Sequence, residues 1–428
     1  MGSNTYTYYL CICIMDLTTE EKEDVENEVS FLIEEYLKTS LHLYSNKDFK
    51  EIMLNEIVEY LQGWKYIDLA EYISFSIEHT LEYYQIPSRQ EETVKEEKND
   101  KITYSVLENE LLLNGEKNVL KQRTPEWYQF RHNRFSASSI WKLLDTPAQY
   151  NSLIFEKCKG LETIFTNHVI TNEYNPRNWG VKYEPVSLQI YSFKNPNTVV
   201  KSDYGCIPHP LYPFIGASPD GINIASEKYG CMVEIKNIFN RDIDGIPLEE
   251  YWIQMQIQME TCNLEECDFL ETRFKEYETE EDFYLDQTPE FKGVILFFLA
   301  KSPEKENRFE YMPLYISLEK TAIELWMREI QDKFQEDYLL YDRSYWYLDE
   351  YSCVNVKRNA PWFESVLPII ENAWRTVEHE REHGSLHRAP KSRNKKTEEN
   401  KISMIEHPVI TEEKHTISIS SIKVIKLG

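Results

Sequence analysis

The chain has 428 residues, enough for two or three domains and a large buried core. Its eight cysteines include no CxxC pair, which argues against a zinc ribbon or a four-cysteine iron–sulfur cluster and suits free thiols in a reducing, intracellular compartment. A formal net charge of -26 runs against a protein that handles nucleic acid, yet the acid is concentrated: residues 1–100 hold 22 acidic against 8 basic side chains and residues 241–290 hold 16 against 3, leaving the remainder near neutral and open to a local basic groove.

The longest apolar run near the start, Tyr8 to Met15, is too short to span a bilayer, and no basic segment precedes it as a signal peptide requires, so a soluble protein with no membrane association is expected. Residues 18–85 read as three helices. Thr18 or Thr19 caps the first, with Glu20 and Glu21 in its first turn and Val25, Val29, Leu32 and Tyr36 at helical spacing. The second runs from about Lys47 to Leu61 after a capping Asn46, with Phe49, Met53, Ile57, Tyr60 and Leu61 inward. The third, about Ile67 to Tyr84, carries Leu69, Ile73, Ile77, Leu81 and Tyr84. Three such helices close a small bundle, read first as structural and second as a partner-binding module. The chain turns polar and charged from Ile86 to Lys101, so a helical domain is drawn at 1–95 and a linker at 96–119.

In Arg123 to Asp145, Thr124-Pro125-Glu126 is a strong helix start, and Trp127, Phe130, Arg131 and Arg134 follow it. Ser136 to Ser139 then cap a second helix carrying Ile140, Leu143 and Leu144. Two arginines beside a serine-rich helix N-terminus can form a phosphate pocket, because guanidinium forks and free backbone N–H groups both favour an anion; on this stretch alone, capping serines and solvated arginines are the better explanation. Residues 160–193 read as helical with an interruption at Asn175 to Asn178, and Gly180 leads into a helix on which Glu184, Leu188 and Tyr191 share a face.

Gly216 to Asn237 is where the chemistry is expected. Pro219-Asp220 precedes a Gly-bearing turn, and Met232 to Ile235 forms a second apolar run ending in Glu234-Ile235-Lys236. Strand alternation puts Glu234 and Lys236 on one side and Val233 and Ile235 on the other, so Asp220 on the neighbouring strand can meet Glu234 across a hairpin. Two carboxylates there make a hard-oxygen site suited to Mg²⁺ or Mn²⁺, and the lysine can steer or deprotonate a water. An Asp-Gly turn before a strand of alternating charge is also common in ordinary hairpins.

Pro247 to Asn263 reads as a helix with Tyr251, Gln254 and Gln258 along one face and Trp252, Gln256 and Met259 along another, so its glutamines cannot all reach one site. Cys267 to Arg273 and Lys292 to Lys301 read as buried strands, and residues 317–343 as one long amphipathic helix. After about Glu378 apolar periodicity stops and Arg, Lys and His accumulate, so a flexible basic tail is placed at 379–428.

Taken in order, these pieces resemble the lambda-exonuclease or YqaJ-like viral recombinase nucleases, a branch of the PD-(D/E)xK superfamily found in phages and large DNA viruses. The resemblance covers roughly residues 120–300. It rests on Trp127, Arg131 and Ser136-Ala137-Ser138, on Gly180 with Glu184, on Ser218-Pro219-Asp220-Gly221, on Glu234-Ile235-Lys236, and on Tyr251, Gln254, Gln256 and Met259. Each motif is weak singly, and five in this order are not.

The resemblance implies a restriction-endonuclease-like α/β (α+β) core over 120–378, a central mixed sheet flanked by helices. It implies that Asp220, Glu234, the Ile235 backbone carbonyl and Glu184 hold two Mg²⁺ or Mn²⁺ ions. Lys236 would position and activate the water, with Gln254 or Gln256 assisting near the nucleophile, and Arg131, Ser138 and Ser218, with Arg134, would take a terminal 5′-phosphate. The implied activity is exonucleolytic hydrolysis of linear double-stranded DNA from 5′-phosphorylated ends, in recombination, repair or defence. An endonuclease, a single-strand nuclease, or a weakly active DNA-binding module stays open as an alternative. The implied partners are duplex DNA ends, further copies of the chain in a homo-oligomer, and a single-strand annealing protein or another partner reached through the N-terminal helices. For a large DNA virus the location would be the host cytoplasm or viral factory. The acidic N-terminal region, the tail and the acidic stretch at 276–290 depart from the family core.

Overall fold

The computed structural model of the chain describes residues 18–46, 48–61, 69–84, 124–160, 176–202, 204–225, 227–302 and 304–389. The expected linker at 96–119 and the residues from 390 onward lie outside these. Among the described residues no helix is long and apolar enough to cross a membrane.

Three helices open the chain: α1 (Thr19–Ser40), α2 (Phe49–Leu61) and α3 (Ala70–Tyr83), with a short 3-10 turn at Leu41–Ser45 after the first. Their inner faces carry Val25, Val29, Ile33, Phe49, Met53, Ile57, Ile73, Ile77 and Leu81, all buried. Tyr60 and Tyr84, expected inward, are exposed, each lying off the stripe that its helix buries. The bundle shares one continuous apolar core with Phe135, Ile140, Ile253, Phe269 and Trp362, while among the described residues three smaller clusters lie apart from it.

Next come α4 (Pro125–His132), β1 (Phe135–Ser136), α5 (Ala137–Leu144), α6 (Pro147–Cys158) and α7 (Pro176–Lys194). Thr124 caps α4 by accepting from the Trp127 N–H at 3.3 Å, with Pro125 in the first turn, as the sequence predicted. Helix α6 went unread, although Thr146-Pro147 repeats the same start.

The strands are β2 (Val200–Lys201), β3 (Ile207–Pro208), β4 (Ile215–Ala217), β5 (Gly221–Asn223), β6 (Met232–Asn237), β7 (Glu266–Glu276), β8 (Lys292–Ala300), β9 (Arg308–Tyr311) and β10 (Tyr338–Lys357). Seven form a mixed sheet in the order β2-β5-β6-β7-β10-β8-β9, with β6 and β7 parallel and the other pairs antiparallel; β1, β4 and β3 form a small second sheet. Between them run α8 (Glu249–Cys262), α9 (Glu280–Leu285), α10 (Lys320–Phe334) and α11 (Ala360–His383). The expected class, a central mixed sheet flanked by helices with a helical N-terminal part, is what the chain adopts.

Two readings are corrected. The helix expected over 317–343 ends at Phe334, and from Tyr338 the chain becomes the 20-residue strand β10, wedged between β8 and β7. Its aromatic and β-branched residues suit a strand, and irregularities at Leu340/Asp342 and Leu348/Glu350 let so long a strand bend. The tail boundary drawn at 379 falls inside α11, whose last turns are held because Arg381 bonds to the carbonyls of His132 and Lys157, and Arg388, just beyond, bonds both Glu380 of the helix and Asn151 of α6.

Candidate active site

The hairpin β5–β6 pairs Gly221 with Val233, which sets Asp220 opposite Glu234 as alternation predicted. Gly221 is required here, because a Cβ at this position would drive into the stiff Val200 side chain of the adjacent strand. Asp220 Oδ2 accepts the Ile235 N–H at 2.8 Å, tying one carboxylate to the strand that carries the other. Glu234 is 1% exposed, and both of its oxygens are engaged. Oε1 accepts from Lys236 Nζ at 2.5 Å and from Gln254 Nε2 at 2.6 Å, whereas Oε2 accepts from Gln258 Nε2 at 2.9 Å.

Electrostatics follow from this crowding. Burial raises the Asp220 pKa well above the usual carboxylate range, and the neighbouring Glu234 and Glu184 carboxylates add to the rise against an opposing Lys236. Burial pulls Lys236 down, but Glu234 and Asp220 more than offset it, so its pKa is raised and it is an ammonium at neutral pH. The ammonium also lies 4.8 Å from the Tyr251 ring centre. Asn237 donates to the Gly180 carbonyl at 3.0 Å and accepts from Ser187 at 2.7 Å, which fastens α7, and with it Glu184, beside the end of β6.

These groups fit a divalent cation. Three acidic side chains within mutual electrostatic reach are balanced by one ammonium, and the donors are hard oxygens of the kind that Mg²⁺ and Mn²⁺ take. Among the described residues no three carboxylate, imidazole or thiolate groups form a complete cage. Mg²⁺ commonly keeps waters and takes one or two protein carboxylates plus substrate phosphates. Asp220 and Glu234 are the residues that would hold it.

The glutamines divide as helical phase requires. Gln254 and Gln258 reach Glu234, whereas Gln256 points away, donating to the Lys357 carbonyl at 2.9 Å and accepting the Asn359 N–H at 2.6 Å. The assignment of Gln256 to the site is therefore corrected: two residues along a helix from Gln254 lies another face. Gln258, absent from the motif set, was already on the Tyr251 and Gln254 face by spacing.

The phosphate-pocket residues also divide. Arg131 Nη1 donates to Ser218 Oγ at 3.3 Å, although 87 residues separate the two. Ser138 is exposed in the first turn of α5. Arg134 turns elsewhere, its guanidinium 3.6 Å from the Phe130 ring centre and donating to the Phe130 carbonyl, on the wall of a cavity lined also by Phe214, Glu371, Trp374 and Arg375. It does not join Arg131, because a shift of three residues carries it past the end of α4 into the turn.

Residues 126–265 match the YqaJ-like viral recombinase domain. The uncharacterized protein R354 of Acanthamoeba polyphaga mimivirus is 29% identical over 307 residues, covering 61% of this chain and 53% of the relative, so the chain spans about half that protein's length. Among solved structures, LHK-Exo, an alkaline exonuclease from Laribacter hongkongensis, has a TM-score of 0.36 at 17% identity, covering 61% of this chain and 95% of that one. LHK-Exo in complex with dAMP has the same TM-score and coverage at 18% identity. A phage-related exonuclease from Haemophilus somnus 129PT has a TM-score of 0.32 at 13% identity, covering 60% of this chain and 98% of that one. The matched stretch, residues 126–265, contains all of the motifs on which the resemblance rests, from Trp127 to Met259.

Proposed function

We propose that the chain is a Mg²⁺- or Mn²⁺-dependent DNA exonuclease that digests linear duplexes from 5′-phosphorylated ends. The observation that carries this reading is the meeting of Asp220, Glu234 and Lys236 beside Arg131 and Ser218: a charged hydrolytic group next to an end-phosphate pocket. The local charge supports it. Lys157 and Arg381 lie close to Arg131, so positive charge is concentrated there in a chain that is acidic overall.

In the proposed reaction, water adds to phosphorus and the P–O3′ bond breaks. One proton of the water goes to the leaving 3′ oxygen and the other to solvent, so the released nucleotide keeps its 5′-phosphate. Asp220 and Glu234 would hold a divalent ion, which would supply Lewis-acid stabilisation of the phosphoryl oxygens. Lys236, kept protonated by its carboxylate neighbours, donates toward the water and the developing charge, and Gln254 holds Glu234 in place. Arg131, with Ser218 and the N-terminus of α5, grips the terminal phosphate and registers the scissile bond.

The test is digestion of linear duplexes labelled at either end, with Mg²⁺, Mn²⁺ or chelator, beside Asp220→Ala. Release of 5′-mononucleotides from the 5′-phosphorylated strand, lost in the variant, is expected. Cutting of covalently closed circles at the same rate would replace the exonuclease by an endonuclease, and no metal-stimulated cleavage would refute the reading.

A further inference from the structure

We infer that Gln258 is a positioning residue that couples the end-phosphate pocket to the Glu234 carboxylate; the inference rests on the nuclease reading above. Gln258 sits on the face of α8 that meets the sheet and is 1% exposed. Its amide Nε2 spans the two halves of the site, donating to the Ser218 carbonyl at 3.2 Å and to Glu234 Oε2 at 2.9 Å. Ser218 in turn accepts from Arg131 through its hydroxyl. Arg131, Ser218, Gln258 and Glu234 are therefore linked, by hydrogen bonds at the hydroxyl and at the backbone carbonyl of Ser218, from the guanidinium proposed to bind phosphate to the carboxylate that would face the ion.

The two ends of Gln254 and Gln258 do different work. Gln254 and Lys236 share Glu234 Oε1, so that oxygen is held whether or not a phosphate is bound. Among the described residues Oε2 accepts only from Gln258, whose other bond is to the backbone at Ser218, beside the hydroxyl that an incoming phosphate would contest for Arg131. Pro219 and Asp220 follow directly, and Asp220 is bonded to Ile235, so a shift of the Ser218 peptide reaches both carboxylates. The Gln258 Oε1 is buried and has no hydrogen-bond partner among the described residues, so the amide is held in the site by its Nε2 alone.

The experiment compares initial rates on 5′-phosphorylated and 5′-hydroxyl duplexes for the full chain, Gln258→Met, Ser218→Ala and the double variant, with thermal midpoints alongside. Methionine keeps the volume and removes both hydrogen bonds. Gln258→Met is expected to slow both kinds of end, and to slow phosphorylated ends roughly tenfold more than hydroxyl ends, so the ratio of the two rates collapses toward one. The double variant is expected to lose no more discrimination than either single variant, since both break the same series. Should Gln258→Met not fold, Gln258→Asn, which keeps the amide but is one methylene too short to span both acceptors, gives the same reading. A variant that keeps the wild-type ratio, or slows both substrates equally, or adds to Ser218→Ala, overturns the coupling while leaving the nuclease intact. A wild-type protein that cuts without preference overturns both the pocket and the coupling, and one that does not cut removes the reaction itself.

Discussion

The buried ammonium of Lys157 on α6 donates to the backbone carbonyl of Arg131 at 3.0 Å, closing the C-terminal end of the helix that presents this arginine, proposed above to take the terminal phosphate. Arg381, from the last turn of α11, donates to the next carbonyl, His132, at 2.9 Å and to the Lys157 carbonyl at 3.0 Å. Burial drops the Lys157 pKa to about 8, with Glu156 opposing the drop and Arg131 and Arg381 adding to it. Cations at a helix C-terminus complement its partial negative charge, and here they also fix where Arg131 begins.

Lys157→Met should therefore loosen Arg131 without removing it. The preference for phosphorylated over hydroxyl ends is expected to fall several-fold. Global stability should change by no more than about 1 kcal/mol, because relief of a buried charge offsets the lost hydrogen bond. Digestion rates on the two kinds of end, with denaturant melts, check this.

Asp220→Asn separates stability from activity. Asparagine keeps an oxygen to accept the Ile235 N–H and removes a carboxyl whose pKa is held up first by burial and then by the neighbouring Glu234 and Glu184. Cleavage should fall by about a hundredfold or more while the thermal midpoint, measured without divalent ions, rises. A lower midpoint would mean that the carboxylates do not oppose one another.

Gln254→Ala and Gln256→Ala, two residues apart on one helix, should behave differently. The first is expected to reduce the cleavage rate with modest change in melting. The second removes two hydrogen bonds to the β10–α11 junction and should cost about 2–4 kcal/mol, with the activity of the folded fraction unchanged. Active-site titration beside calorimetry distinguishes the two.

His209 gives the fold an acid limit. Its ring is buried and stacked on Phe363, and Nδ1 accepts from the Leu211 and Tyr212 N–H groups. Burial first, then Arg358, lowers its pKa to about 4, below the unfolded value. Between about pH 6.5 and 4 the unfolded chain binds a proton that the folded chain refuses, so stability is complete above this window and is lost as pH falls through it. At pH 4.5 the loss should be roughly 2–3 kcal/mol, and His209→Phe should flatten that part of the profile in urea melts at several pH values.

Several features were legible in the sequence because they depend on local geometry. Alternation set Glu234 and Lys236 together, and the short turn to Asp220 made an antiparallel partner, so the carboxylate pair followed from a period of two. Helical phase likewise put Gln254 and Gln258 on one face and Gln256 on another. What remained open was which face the sheet would meet, since that depends on β6 and β7 lying under α8. Strand β10 was misread for the same reason. Its partners begin at Lys292 and Glu266, far earlier in the chain, and in the absence of those edges Leu339 and Leu340 prolong a helical pattern. The contact between Arg131 and Ser218 and the clamp from Arg381 also join segments that only the folded chain brings together. Local spacing determines what a residue can face, and long-range packing decides what stands there to be faced.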